Sequence, residues 1–286
     1  MANRQYQELE VSEGVYVPQP AMDYPQENPF ERTLFPKHVK DIVFDEHYPY
    51  LDDSITYKFN TIWGYYLIVH FFLRLKLRLQ MGLRIKGREV LKQYKQELSH
   101  GAITIANHVY RLDCPCVLLA VNAKHTTRIP MFAPNFRTKD GFFMRLAGGV
   151  PIPDSTTNMS ALKKFNEAFD EFDRRGWWFH IFPEACRWDM YKPLRPLQKG
   201  AFTMSYKYGK PLLPCVITYR ERKGIFRLFG PKDLPLLTVT IGEPILPDTT
   251  QPRKTEVERL RQVAHEQMTH MAGITHNPWP AAWGNL

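Results

Sequence analysis

The chain has 286 residues, of which 44% are hydrophobic and 23% charged, with a formal charge of +9 at neutral pH. That balance describes a globular protein with one good-sized core plus decorations, and four cysteines in this length do not make a disulfide framework. The excess positive charge calls for an anionic partner such as a lipid headgroup, a nucleic acid or an acidic cofactor. A zinc finger, an aromatic RNA-binding signature and a long basic tail are all missing, which sets nucleic acid aside.

Residues 1–53 are rich in Pro, Tyr and Glu without periodicity, and predict an extended N-terminal arm partly ordered against the body. Residues 1–30 lack the apolar core of a signal peptide. Residues 54–85 predict an amphipathic, aromatic helical segment. Its dense run from Ile62 to Leu73 is too short to span a bilayer, which takes roughly 20 residues. Arg74, Lys76, Arg78 and Arg84 follow, interleaved with Leu75, Leu77 and Leu79, a pattern suited to a helix lying in the headgroup zone. Each such cation contributes roughly 1 kcal/mol near an anionic leaflet. Residues 86–100, with Arg88, Lys92, Lys95 and Glu97, read as a solvated helix face.

From there strands and helices alternate. Strands are predicted at Ala102–Ala106, Arg128–Ala133, Val150–Pro153, Trp177–Phe182, Leu212–Thr218 and Leu236–Ile241. Helices are predicted from Cys114, from Gly141, over Ser160–Arg175 with Leu162, Phe165, Phe169 and Phe172 on one face, over Ala201–Tyr208 and over Thr255–Met271. The alternation predicts an α/β architecture with a mainly parallel sheet flanked by helices. The main domain is expected over 86–250, and a C-terminal helix and tail over 251–286.

Asn107-His108-Val109-Tyr110-Arg111-Leu112-Asp113 directly follows the first of these strands, with Asp113 at the entrance of a helix. In open α/β sheets this edge is where ligands bind. A carboxylate that holds one imidazole nitrogen leaves the other as a base near neutral pH. The same spacing recurs at His47 and Asp52, but in a Pro- and Tyr-rich stretch with no strand before it. A second strand exit carries Phe182-Pro183-Glu184-Ala185-Cys186-Arg187. Cys114 and Cys116 are too close in sequence for an ordinary zinc pair, so no metal site is expected, and the four cysteines read as reduced thiols on a cytosol-facing protein.

Together the two blocks resemble the glycerolipid acyltransferase family, best known from the 1-acylglycerol-3-phosphate acyltransferases. That family carries Asn-His-x4-Asp as its first block and Phe-Pro-Glu-Gly-Thr-Arg as its third. The resemblance covers roughly residues 85–250 and implies the family's α/β fold, preceded by a helical membrane-docking element where residues 54–85 stand. It implies His108 as general base and Asp113 as its partner, with Asn107, Glu184 and Arg187 on the substrate side. Backbone N–H groups at the following helix entrance are candidates to stabilise an oxyanion. The implied donor is acyl-CoA or acyl carrier protein, used as a co-substrate with no bound cofactor. The implied acceptor is a lysolipid, foremost 1-acylglycerol-3-phosphate giving phosphatidate, at the cytoplasmic face of an anionic membrane to which the protein binds peripherally. One departure matters. The second block's phosphate-binding Arg is Asp154 here, and the third block's Gly and Thr are Ala185 and Cys186. An acid at that position repels a phosphate, so Arg145, Arg195 and Lys199 are candidates to compensate. The alternatives are a glycolipid, polyol or other lysolipid acceptor, or a non-catalytic lipid-surface binder.

Overall fold

Short runs, the longest of them apolar and rich in β-branched residues, become strands. In the computed structural model, which describes residues 3–37, 39–154 and 158–284, these are β1 (Glu10–Val11), β2 (Arg84–Lys86), β3 (Ile103–Ala106), β4 (Ile129–Met131), β5 (Gly149–Pro151), β6 (Phe179–Ile181), β7 (Leu212–Arg220), β8 (Leu236–Ile241) and β9 (Ile274–His276). Residues 1–2 and 285–286, at the ends of the expected arm and tail, lie outside the described residues. The main sheet has the order β2-β8-β7-β3-β6. β2 runs parallel to β8 and β3 parallel to β7, whereas β7 and β8 are antiparallel. The exception has a simple cause: the β7–β8 connection holds only a 3₁₀ turn at Gly224–Arg227, and without a crossover helix the chain returns antiparallel. β3 is buried at every position, as the continuous apolar run of a strand covered on both faces should be.

The chain forms two compact units, each assembled from segments remote in sequence. The first takes Met1–Leu34, Leu75–Asn122 and Ile181–Leu286. Helix Arg253–Met271 packs on β7 and on helix Gly200–Tyr208, while helix Asp113–Ala120 packs near β8. The arm belongs to this unit through residue 34. β1 pairs with β9, and the short helix Arg4–Gln7 is capped by the Asn3 side chain.

The second unit takes Phe35–Arg74 and Ala123–His180. It holds the parallel pair β4/β5 and helices Gly141–Leu146 and Met159–Arg174. Phe165, Phe169 and Phe172 of the expected stripe are buried, and Phe169 meets Phe179 edge-on at 5.1 Å. The stripe is therefore core. Residues 55–73 are helical, as an α-helix over Ile55–Gly64 and π-helical turns over Tyr65–Leu73. Among the described residues no helix is long and apolar enough to cross a membrane.

Two expectations shift. The helical segment stops at Met81, because Gly82 takes φ +51, and residues 84–86 pair as β2 instead of continuing the helix. Residues 86–100 are mostly turns, with helix only at Val90–Gln93. Arg88, Lys92, Lys95 and Glu97 are exposed as expected, and Arg88 also reaches back to the carbonyls of Leu119 (2.7 Å) and Ala120 (3.1 Å). A cation there satisfies orphan carbonyls at a helix C-terminus.

Candidate active site

The site lies in the first unit, where β3 ends and helix Asp113–Ala120 begins. The turn between them is folded around one carboxylate. Asp113 Oδ2 accepts from the backbone N–H groups of Val109 (3.1 Å) and Tyr110 (3.3 Å), and Oδ1 accepts from that of Cys114 (2.7 Å). The same Oδ2 stands 2.6 Å from His108 Nδ1. Each of the three amides can only donate, so the group facing them acts as an acceptor carboxylate. His108 Nδ1 then carries the proton, and Nε2 is left as the basic nitrogen of the neutral ring. Asp113 is buried, whereas the His108 side chain keeps 23% of its surface exposed. The Phe182 ring lies against the imidazole at 4.2 Å and 15°, which fixes the ring plane.

Several amides at the expected oxyanion site are already engaged. The N–H groups of Val109, Tyr110 and Cys114 are taken up by Asp113, and that of His108 goes to Glu184. The turn spends these amides on holding its own acid.

The third block meets the first through Glu184. Its Oε2 accepts the His108 N–H at 2.8 Å, and its Oε1 accepts the Arg195 N–H at 2.9 Å. The Arg195 guanidinium pairs with Glu184 at 3.1 Å and donates to the carbonyls of Cys186 and Pro29. It also lies 4.3 Å from the Trp188 ring. Glu184 and Arg195 both have no exposed surface, so this pair braces the loop and does not face an open acceptor surface. Asn107 is committed to the sheet as well. Its amide accepts from Ile217 N (2.8 Å) and donates to Ile217 O (3.0 Å), replacing the ladder bonds where β3 runs out.

Arg187 keeps 30% of its side chain exposed and pairs with Asp189 at 2.8 Å. Burial, more than any neighbour, pushes the Asp189 carboxyl above its usual range, with Asp113 adding to the rise and Arg187 opposing it. Asp189 had a readable signal, an acid two residues after the block's Arg. The N-terminal arm had none. Yet Tyr6 and Tyr24 donate to the Met190 and Asp189 carbonyls, Thr33 to that of Arg187, and Trp188 donates to the Glu31 carbonyl. The arm thus straps the loop that carries Arg187, through contacts more than 150 residues apart in sequence.

Arg145 lies in the second unit, paired with Asp52 at 2.7 Å. Asp154, also there, accepts from Phe44 N (2.9 Å) and pairs with Arg137 (2.5 Å). Arg137 in turn donates to Ile42 O at 2.8 Å. Asp154 is therefore not a bare charge: it clamps the segment from Ile42 to Phe44 onto the 3₁₀ turn Ala133–Arg137. His47, the histidine of the repeated spacing, stands 3.8 Å from Glu46 and is largely exposed. Among the described residues no cluster of three or more His, Cys, Asp or Glu could hold a metal ion, and the four cysteines are free.

The fold and this geometry define an α/β protein with a carboxylate-held histidine at a sheet edge. Residues 82–218, from just before β2 into β7, match the family model described as Acyltransferase. Over these residues the chain is similar to acyltransferases. An uncharacterized acyltransferase of Schizosaccharomyces pombe is 27% identical over 205 residues, 68% of this chain. The chain spans 65% of that relative's length. The crystal structure of the 1-acyl-sn-glycerophosphate (LPA) acyltransferase PlsC from Thermotoga maritima aligns at 18% identity with a TM-score of 0.47, over 82% of this chain and 87% of that one.

Proposed function

We propose that the protein transfers a fatty acyl group from an acyl thioester, acyl-CoA or acyl carrier protein, to the hydroxyl of a lysolipid, with 1-acylglycerol-3-phosphate the foremost acceptor. The observation that carries this is the 2.6 Å His108–Asp113 pair with a partly exposed imidazole. His108 Nε2 takes the proton of the acceptor hydroxyl as its oxygen attacks the thioester carbonyl. The C–O bond forms, the C–S bond breaks, and the leaving thiolate receives the proton from the imidazolium. Asp113 holds the tautomer and stabilises the imidazolium between these steps. Arg187 is the third-block cation with exposed surface, and its guanidinium suits a phosphate.

The reaction takes place, on this reading, at the cytoplasmic face of an anionic membrane to which the protein binds peripherally. Ile55, Phe59, Trp63, Leu67 and Phe71 recur at helical spacing and are all exposed. Such a row is costly in water and suits the headgroup boundary.

The test is acyl transfer from acyl-CoA to lysophosphatidate, resolved by mass, with monoacylglycerol and a lysoglycolipid as competing acceptors. Formation of phosphatidate that disappears in His108→Ala supports the reading. Product with a neutral acceptor only would move the activity to a non-phosphate lipid. No product from any acceptor, in a folded protein that still binds vesicles, would make it a lipid-surface binder.

A further inference from the structure

The β7–β8 connection ends in an apolar tip that the site does not use. Ile225, Leu228 and Phe229 are 63%, 80% and 53% exposed. Gly224 (φ +59) and Gly230 (φ +79) bend the chain on either side in the left-handed region that glycine favours. The tip is held in shape from beneath. The buried Arg222 guanidinium donates to the carbonyls of Phe226 (2.8 Å), Phe229 (2.7 Å), Leu234 (2.8 Å) and Gln80 (2.9 Å). Four carbonyls on one planar fork fix the loop and tie it to the end of helix Arg74–Met81. On that helix Leu75 and Leu79, one turn apart, are also exposed, at 51% and 58%.

Cations surround this apolar patch. Lys76, Arg78, Lys223, Arg227 and Lys232 are all exposed. Residues 223–232 contain no acid; Glu221 at the base of the loop is paired with Lys223 at 2.6 Å, and the exposed Asp233 follows the loop. An apolar tip with a basic collar matches the cross-section of an anionic leaflet: phosphates outside, acyl chains within. A protein partner of ordinary composition offers no such layered charge.

We infer that the loop 223–232 is a membrane-inserting tip, with Ile225, Leu228 and Phe229 entering the acyl boundary of an anionic bilayer and the surrounding Lys and Arg side chains lying at its phosphates. This is a second contact, in a different unit from the exposed row over residues 55–71, and it does not depend on chemistry at His108.

The experiment uses the full chain and vesicles of phosphatidylcholine alone or with 30% phosphatidylglycerol (roughly a physiological anionic surface). Leu228→Trp places a reporter on the tip. Bromines on the lipid acyl chains are expected to quench the added fluorescence, read against the parent protein, in the anionic vesicles. The double variant Leu228→Ser with Phe229→Ser alters only exposed side chains, and its partitioning onto anionic vesicles is expected to drop roughly tenfold or more. Lys223→Gln with Arg227→Gln and Lys232→Gln should cost roughly fivefold per cation at low salt. No quenching at position 228, with partitioning unchanged in the double variant, would overturn the inference. So would a tip that changes the protein's oligomeric state by light scattering and leaves vesicle binding alone, which would assign the surface to a second copy. Loss of acyl transfer is not a readout here, so failure of the tip and failure of the catalytic reading are separable.

Discussion

Glu184 accepts the backbone N–H of His108 at 2.8 Å, so the third sequence block holds the first at its proposed base. The contact is between a side chain and a main-chain amide. It therefore positions His108 without competing for the imidazole, whose Nδ1 is left to Asp113.

Replacing the base tests the chemistry directly. His108→Ala should lower acyl transfer by about 10²–10⁴-fold, the usual worth of a general base. The thermal midpoint should stay near that of the parent protein, because the His108 N–H to Glu184 is retained. His47→Ala, at the exposed repeat of the spacing, should leave turnover unchanged. Turnover near the parental level in a folded His108→Ala protein would rule out this mechanism.

The buried pair should matter for stability before it matters for chemistry. Glu184→Gln leaves the Arg195 guanidinium without exposed surface or counter-charge, and removing one partner of such a pair costs about 3–5 kcal/mol. Adding Arg195→Met should recover part of the loss. Urea unfolding of the two variants measures this, and equal stability of Glu184→Gln and the parent would mean that Arg195 finds another anion.

Ala185 holds φ +64 where the family pattern of the third block has Gly. A left-handed conformation costs a non-glycine residue about 1–2 kcal/mol. The extra freedom of glycine in the unfolded chain takes back about 0.4–1 kcal/mol. Ala185→Gly should therefore raise stability by about 0.5 kcal/mol. A lower melting temperature would indicate that the methyl group makes packing contacts worth more than the strain.

Asp154 stands where a phosphate-binding Arg is expected from the family pattern, yet it serves the Phe44 N–H and Arg137. Asp154→Arg brings two guanidinium groups together and leaves the Phe44 amide without its acceptor. The expected outcome is a loss of about 1–3 kcal/mol with no gain in lysophosphatidate use. Improved turnover with lysophosphatidate relative to monoacylglycerol would restore the direct acceptor role.

His265 supplies a pH signature. Burial in helix Arg253–Met271 lowers its pKa from 6.5 to about 4, with a backbone contact at Leu194 working weakly the other way. Between those values the unfolded chain binds the proton and the folded chain does not, so stability falls as pH drops from 6.5 toward 4. The full effect is about 3 kcal/mol. His265→Gln should flatten this part of the profile, read as the difference in unfolding free energy between the two proteins at pH 7 and pH 4. A parallel decline in both would assign the acid sensitivity to other groups.

Local pattern was enough for much of this molecule. β3, β7 and β8, the stripe of Phe165, Phe169 and Phe172, and the His108–Asp113 pair all rest on spacing within a few residues, where periodicity and chain geometry decide together. The uses of charge were not legible in this way. Arg195 and Arg145 each read as a group that could face a phosphate, and Asp154 as an acid that repels one. Their partners Glu184, Asp52, Arg137 and the Phe44 amide come from segments that the fold brings together. The bracing of the Arg187 loop by residues 6–33 is likewise a product of the tertiary fold. A charged side chain reports its type in the sequence, but burial and the nearest opposite charge decide its role, and only the folded chain sets those distances.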